Sequence, residues 1–149
     1  MYGIKIRSAT KSDTDAILEL LYELGRPRPK TKSEKSRFGK QVIQYVTDKD
    51  KKILLAEDDY KVVGAVSMIF TPKLNRINPE MYVPDLVVTK SHRRSGVGKL
   101  LMASCVHVAK KKNCFRIRLE SGHQRKEAHS FYKKLHFDQS ALTYTKKLK

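Results

Sequence analysis

The sequence predicts an α/β fold in a single domain, residues 1–149, and three observations carry that reading. Alternating and apolar strand-like runs interleave with stretches of i, i+3, i+4 periodicity, in the order strand, two helices, three strands, helix, strand, helix, strand. Residues 85–112 pass from an apolar run into a periodic stripe across a glycine-containing turn, the pattern of a buried strand feeding a helix. The length, 149 residues, matches one domain with a sizeable core.

Ile4, Ile6 and Ser8 alternate with Lys5 and Arg7, which predicts a first strand with one buried face. Thr10-Lys11-Ser12-Asp13 has the form of a capping box. The helix after it carries Ala16, Ile17, Leu20, Leu21 and Leu24 on one stripe and ends at Gly25, Pro27 and Pro29. Thr31-Lys32-Ser33-Glu34 repeats the capping pattern, and Phe38, Val42, Tyr45 and Val46 give the next helix its apolar face. Residues 53–57 and 62–70 read as a hairpin turned by Asp58-Asp59-Tyr60-Lys61. A loop rich in proline and asparagine, 71–79, leads to a central strand over 81–88. Beyond the central helix, 114–120 alternates Phe115, Ile117 and Leu119 with Arg116, Arg118 and Glu120, a strand with a charged face. Ser121-Gly122-His123-Gln124 interrupts it. Residues 125–135 form a last helix, and 137–148 a last strand or hairpin. No internal repeat is present.

The stretch 85–112 is the centre of the chain. Leu86, Val87 and Val88 form the apolar run, and Val97, Leu100, Leu101, Ser104, Cys105 and Val108 form the stripe. Between them lie Arg93, Arg94, Ser95, Gly96, Val97, Gly98 and Lys99, where glycine lets backbone approach a ligand and the first helical turn presents unpaired N–H groups. The helix dipole favours an anion there, and three cationic side chains strengthen it. A P-loop is excluded because Leu100 follows Lys99 and the upstream glycine is missing. A dinucleotide fingerprint is excluded because Leu101 stands at its third glycine.

Composition narrows the classes. No apolar run is long enough to span a bilayer and residues 1–5 lack a signal-peptide core, so a soluble cytoplasmic protein without membrane partners is expected. Cys105 and Cys114 match no metal spacing, and no metal is expected. The net charge of +17 is uneven: residues 1–89 hold 16 basic and 12 acidic groups, residues 90–149 hold 16 and 3. The basic half carries the anion site and would attract a polyanionic coenzyme or a nucleic acid.

Arg93-x-x-Gly96-x-Gly98 after a strand resembles the acyl-CoA signature of the GNAT family of N-acetyltransferases. Ala128-His129-Ser130-Phe131-Tyr132-Lys133-Lys134-Leu135-His136-Phe137 resembles that family's A-x-x-F-Y-x-x-x-G-F segment, in the right order downstream. His136 departs from it, standing where the family has glycine, which makes the turn conformation there the point to check. The resemblance implies a mixed, mostly antiparallel sheet of about six to seven strands, a splayed central strand pair and about four helices. It implies acetyl-CoA as acyl donor and a primary amine as acceptor. Backbone groups of Leu86, Val87 and Val88 would pair with the pantetheine arm, an amide of Val87 or Val88 would polarise the thioester carbonyl, and amides from Arg93 to Lys99 would hold the pyrophosphate. His123, Ala128, Phe131 and Tyr132 would also lie against the coenzyme.

Acyl transfer to an amine needs an oriented donor, a neutral amine, an oxyanion partner and a proton for the leaving thiolate. The resemblance makes Tyr132 the general acid; Asp85 and Glu120 are the acidic groups at the ends of the two central strands that can take the amine proton, Asp85 ahead of Glu120 because it immediately precedes the pantetheine-binding run. His123 and His129 are further side chains able to move protons. The family usually transfers the acetyl group directly, so no nucleophilic Ser or Cys is required. A small-molecule amine is the expected acceptor, such as an aminoglycoside, a polyamine or an aminoalkylphosphonate, and a homodimer is expected. A protein lysine or N-terminal acetyltransferase is the alternative within the enzyme class. Outside it stands a non-catalytic nucleic-acid-binding or acyl-CoA-sensing module. The aromatics of the basic half occupy apolar-face positions, which speaks against nucleic acid.

Overall fold

The structure, a computed structural model, describes residues 3–149; Met1 and Tyr2 of the opening segment lie outside them. In chain order the elements are β1 Ile4–Ser8, α1 Thr14–Glu23, α2 Lys32–Thr47, β2 Lys51–Asp58, β3 Lys61–Thr71, β4 Glu80–Val83, β5 Leu86–Val88, α3 Val97–Lys111, β6 Arg116–Leu119 and α4 Lys126–Lys134. Residue contacts gather into two compact units, one running to Arg118 and the other Leu119–Lys149.

The first unit is built on the sheet order β1-β2-β3-β4-β6, with β5 paired to β3. The pairs β1·β2, β2·β3, β3·β4 and β3·β5 are antiparallel. The β2–β3 turn forms where Asp58–Lys61 predicts it, with Asp59 at φ 51° and Tyr60 at φ 66°, the paired left-handed residues of a type I′ hairpin. Successive residues of a strand face opposite sides of a sheet. Ile53, Leu55, Ala65 and Val87 accordingly share a core with Ile17, Leu18 and Leu20 of α1 and Val42 of α2. The alternate position Gly64 faces Val97 and Leu101 of α3 on the other side. Helices therefore cover both faces. Both caps form: the Asp13 carboxylate accepts from the Thr10 amide at 2.8 Å, and the Thr31 hydroxyl accepts from the Glu34 amide at 3.1 Å.

Three expectations are corrected. The central strand over 81–88 is two strands, because Pro84 has no N–H to give and the chain breaks step at Pro84-Asp85. β4 continues to pair with β3 at Ile69↔Tyr82, and β5 resumes at Val66↔Leu86. On α3 the buried set is Val97, Leu101, Met102, Cys105 and Ala109; Leu100, Ser104 and Val108 are only half-buried, so the stripe is rotated from the one expected. In the second unit, residues 137–149 form no strand, and Leu142, Tyr144 and Leu148 are 66%, 89% and 87% exposed. Alternation without a paired partner edge leaves a strand's backbone groups unsatisfied, so the pattern alone does not make one.

A fully buried carboxylate that the sequence did not single out joins β4 to β6. Glu80 is 0% exposed and accepts from Arg116 at 2.5 Å and Arg118 at 3.1 Å, with Lys73 at 3.6 Å. Burial pushes its carboxyl up, but the arginine hydrogen bonds outweigh burial and hold it below the usual glutamate value.

Candidate active site

Within the first unit, β5 has two unlike edges. The Ser67 amide donates to Asp85 O at 2.9 Å and the Thr89 amide to Val63 O at 2.8 Å, so hydrogen-bonded pairs fall at 85, 87 and 89. In an antiparallel ladder such pairs alternate with non-bonded ones. Val87 thus spends its N–H and C=O on Ala65, whereas Leu86 and Val88 turn theirs to the other edge. Among the described residues no second strand pairs with β5 there. Of the three backbone positions expected to hold a pantetheine arm, Leu86 and Val88 face outward and Val87 does not.

Downstream, a single 3-10 turn, Lys90–His92, leads into the glycine turn. Arg94 is left-handed at φ 60° and Gly96, the residue capping α3, lies at φ 90°, ψ 0°. The first i→i−4 bond of α3 runs from the Leu100 amide to Gly96 O at 3.1 Å, so the amides of Val97, Gly98 and Lys99 precede the hydrogen-bonded ladder. Arg93 is not aimed solely at solvent, since its Nε donates to Val88 O at 3.0 Å. The turn is tied down from three sides. His92 Nε2 meets Asp58 Oδ2 at 2.8 Å, Ser95 Oγ donates to His92 O, and Glu23 at the end of α1 accepts from Thr89 Oγ1 at 2.9 Å and the Lys90 amide at 3.3 Å. Gly64 lets α3 sit close on the sheet: a Cβ there would lie 3.1 Å from Leu101 Cδ1 and 3.2 Å from Val87 O.

In front of β5, between α1, α2 and the sheet, is a cavity of about 330 Å³. Its walls are mostly apolar, including Ile17, Leu21, Phe38, Val42 and Val87, with Asp85, Ser67, Tyr22, Tyr45, Gln41 and Arg26 as its polar members. The Asp85 carboxylate is held on both oxygens, by Arg26 Nη2 at 2.8 Å on Oδ1 and by Ser67 Oγ at 3.0 Å on Oδ2; the same Ser67 hydroxyl accepts from the Asp85 amide at 3.0 Å. Burial pushes the Tyr45 phenol up to about 12, and its O–H donates to Met68 O at 3.3 Å.

The second unit carries the remaining predicted residues. Tyr132 lies on α4 with its ring edge-on to Phe131 (5.2 Å between centroids) and Phe137 (5.6 Å). The Phe137 amide donates to Tyr132 O at 3.0 Å, and His136 adopts φ 67°, the left-handed conformation of the glycine it replaces. Ala128 is half-buried and His123 exposed. His129 Nε2 bonds Gly122 O at 2.8 Å, closing the loop before α4. Glu120 is exposed and accepts from Thr143 Oγ1 at 3.2 Å.

Arg26, Ser67 and Tyr45 were not anticipated as site residues. Ser67 had a visible signal, being the one polar side chain in the run 62–70. Arg26 had none, because its carboxylate partner is 59 residues away.

The acetyltransferase (GNAT) family model matches residues 16–137. The chain belongs to the GNAT family of acetyltransferases. Among its curated relatives, this N-acetyltransferase is 27% identical over 137 residues to the glucosamine 6-phosphate N-acetyltransferase of Trypanosoma brucei brucei, covering 90% of this chain and 88% of that protein. It is 26% identical to the aminoalkylphosphonate N-acetyltransferase of Salmonella typhimurium, covering 97% and 91%. Its fold matches the solved glucosamine-6-phosphate N-acetyltransferase of Arabidopsis thaliana with a TM-score of 0.80 at 23% identity, over 98% of this chain and 99% of that one. GNAT enzymes use acetyl-CoA as cosubstrate, and the outward β5 edge, the unladdered amides of α3 and the cations around them are suited to an extended amide-bearing arm ending in a diphosphate. Among the described residues no helix is long and apolar enough to cross a membrane.

Proposed function

We propose that this N-acetyltransferase acts on the primary amine of a small molecule, that residues 1–149 serve as one catalytic domain, and that it works in the cytoplasm as a homodimer. The observation that carries the acceptor reading is the placement of β5. Its outward backbone groups lie in sequence between Asp85, in the wall of a half-open small-molecule-sized cavity, and the cationic turn that opens α3.

Acetyl-CoA supplies an acyl group already activated as a thioester. Leu86 and Val88 hold the pantetheine arm through their backbone, and the Val88 N–H polarises the acyl carbonyl. The amides of Arg94, Ser95, Gly96, Val97, Gly98 and Lys99, with the Arg93, Arg94 and Lys99 side chains, hold the diphosphate. Asp85 draws in the ammonium group and takes up its proton, directly or through water; Glu120 is the second carboxylate able to do so. The neutral amine attacks the carbonyl carbon, the C–S bond breaks as Tyr132 gives its proton to the departing sulfur, and the Tyr132 phenolate is reprotonated by the second proton that the nitrogen loses on becoming an amide. His123, Ala128 and Phe131 flank the coenzyme.

The decisive experiment follows CoA release with a thiol reagent across a panel of amines, alongside calorimetry with acetyl-CoA. Tyr132→Phe is expected to lower kcat about a hundredfold with little change in acetyl-CoA affinity. An unchanged kcat and pH profile would remove Tyr132 from the acid role, and failure to bind acetyl-CoA at millimolar concentration would remove the whole reading.

A further inference from the structure

We propose that the acceptor is a primary amine carried on one compact apolar body, of the size of a single aromatic ring on a short alkyl chain, and not a sugar phosphate or an aminophosphonate. This rests on the acetyltransfer reading above and names its substrate class.

The cavity has room for such a body, and its lining is what selects it. At about 330 Å³ it lies at the small end of ligand-binding cavities. Ile17, Leu21, Phe38 and Val42 form walls that gain from covering an apolar surface and offer no hydrogen bonds. A pyranose seated there would strand those of its hydroxyls that face these side chains, at a cost on the order of tenfold or more in affinity for each.

Charge points the same way. Among the lining residues Arg26 is the one cation, and it is spent on Asp85 at 2.8 Å. A phosphate or phosphonate could gain Arg26 only by drawing it off Asp85, which would leave that carboxylate unpaired beside a second anion. An ammonium group meets the reverse. Asp85 is pinned by Ser67 on Oδ2, so it stays in place, while the Arg26 side chain is 51% exposed and can exchange its bonds to Asp85 Oδ1 and Pro84 O for water. An incoming ammonium can therefore take the position of Arg26 on Oδ1, leaving the apolar body against α1 and α2.

The test compares initial rates of CoA release with 2-phenylethylamine, glucosamine 6-phosphate and 2-aminoethylphosphonate, after calorimetry has established acetyl-CoA binding. The expected result is a kcat/KM at least tenfold higher for 2-phenylethylamine. Either phosphorylated amine equalling or exceeding it overturns the substrate class, as does turnover of none of the three by a protein that binds acetyl-CoA. A protein that neither binds acetyl-CoA nor releases CoA overturns the acetyltransfer reading instead. Asp85→Asn, with its fold checked by circular dichroism, is expected to raise KM for 2-phenylethylamine at least tenfold; an unchanged KM overturns the docking role. Should that variant not fold, the wild-type panel decides alone.

Discussion

Gly64→Ala tests whether the close approach of α3 to the sheet aims the anion-binding turn. The new Cβ would stand 3.1 Å from Leu101 Cδ1, 3.3 Å from Val97 Cγ1 and 3.2 Å from Val87 O. The two side chains can yield by a few tenths of an ångström, but the Val87 carbonyl is backbone of β5 and moves only with its strand. Overpacking of this kind costs about 1–3 kcal/mol. Gly64 is not left-handed, so alanine also recovers roughly 0.5–1 kcal/mol by restricting the unfolded chain. The net expectation is a loss of about 1–2 kcal/mol. Gly39→Ala is the matched control: it lies in α2, where a Cβ would meet only Thr14 Cγ2 at an ordinary 3.8 Å, and should gain about 0.5–1 kcal/mol. Urea unfolding of both variants reads the difference, about 2 kcal/mol, as a separation of midpoints on the order of 1 M at equal slopes. The Gly64 variant should also bind acetyl-CoA more weakly by calorimetry. A Gly64→Ala midpoint at or above that of Gly39→Ala would refute the packing argument, and a lowered midpoint with unchanged acetyl-CoA affinity would refute its link to the turn.

Three further outcomes follow from single contacts. Asp13 is held by the Arg7 guanidinium at about 2, against an ordinary 3.8, so its contribution of about 2 kcal/mol is present above pH 4 and lost as pH falls from about 4 through 2; Asp13→Asn should flatten that limb of the stability curve. His136→Gly should raise stability by about 1 kcal/mol, roughly 2–4 °C in Tm, because φ 67° strains any L side chain; a lowered Tm would mean that the histidine makes a compensating contact. Glu80→Gln should cost about 2 kcal/mol in urea unfolding, less than for a fully enclosed pair, because Arg116 and Arg118 are 51% and 41% exposed and can turn to water.

Caps and turns set by neighbours in sequence were legible without coordinates, although the break at Pro84 and the exact buried stripe of α3 were not. The capping boxes at Thr10 and Thr31, the Asp58–Lys61 turn and the strand-to-helix junction around Gly96 are local patterns, and each sits where the residues alone place it. The rest of what was not legible depends on partners far apart in the chain. Asp85 was visible as an acid before a strand, but its pairing with Arg26 and Ser67 requires the fold. Glu80 drew no notice because the arginines that make its burial tolerable come 36 and 38 residues later. The over-extended strand at 137–148 shows the converse limit: period-two alternation is satisfied by an exposed basic tail as readily as by a paired strand.

The same reasoning explains why the end of α1 matters more than its apolar stripe suggests. Glu23, in its last turn, accepts from Thr89 and Lys90 just after β5, while Arg26, just beyond the helix, binds Asp85 just before it. One helix terminus thus grips both ends of a three-residue strand that has a single strand partner among the described residues. A strand so short gains little from its ladder alone, and its outward backbone groups would fray without support from outside the sheet. Because the cavity wall and the anion turn are fastened to the same helix end, a ligand that displaces Arg26 from Asp85 loosens one of the two grips on β5. Acceptor binding and coenzyme binding are therefore expected to be linked through α1, each altering the affinity of the other by the same factor. Equal acetyl-CoA affinities measured with and without saturating amine would exclude this coupling.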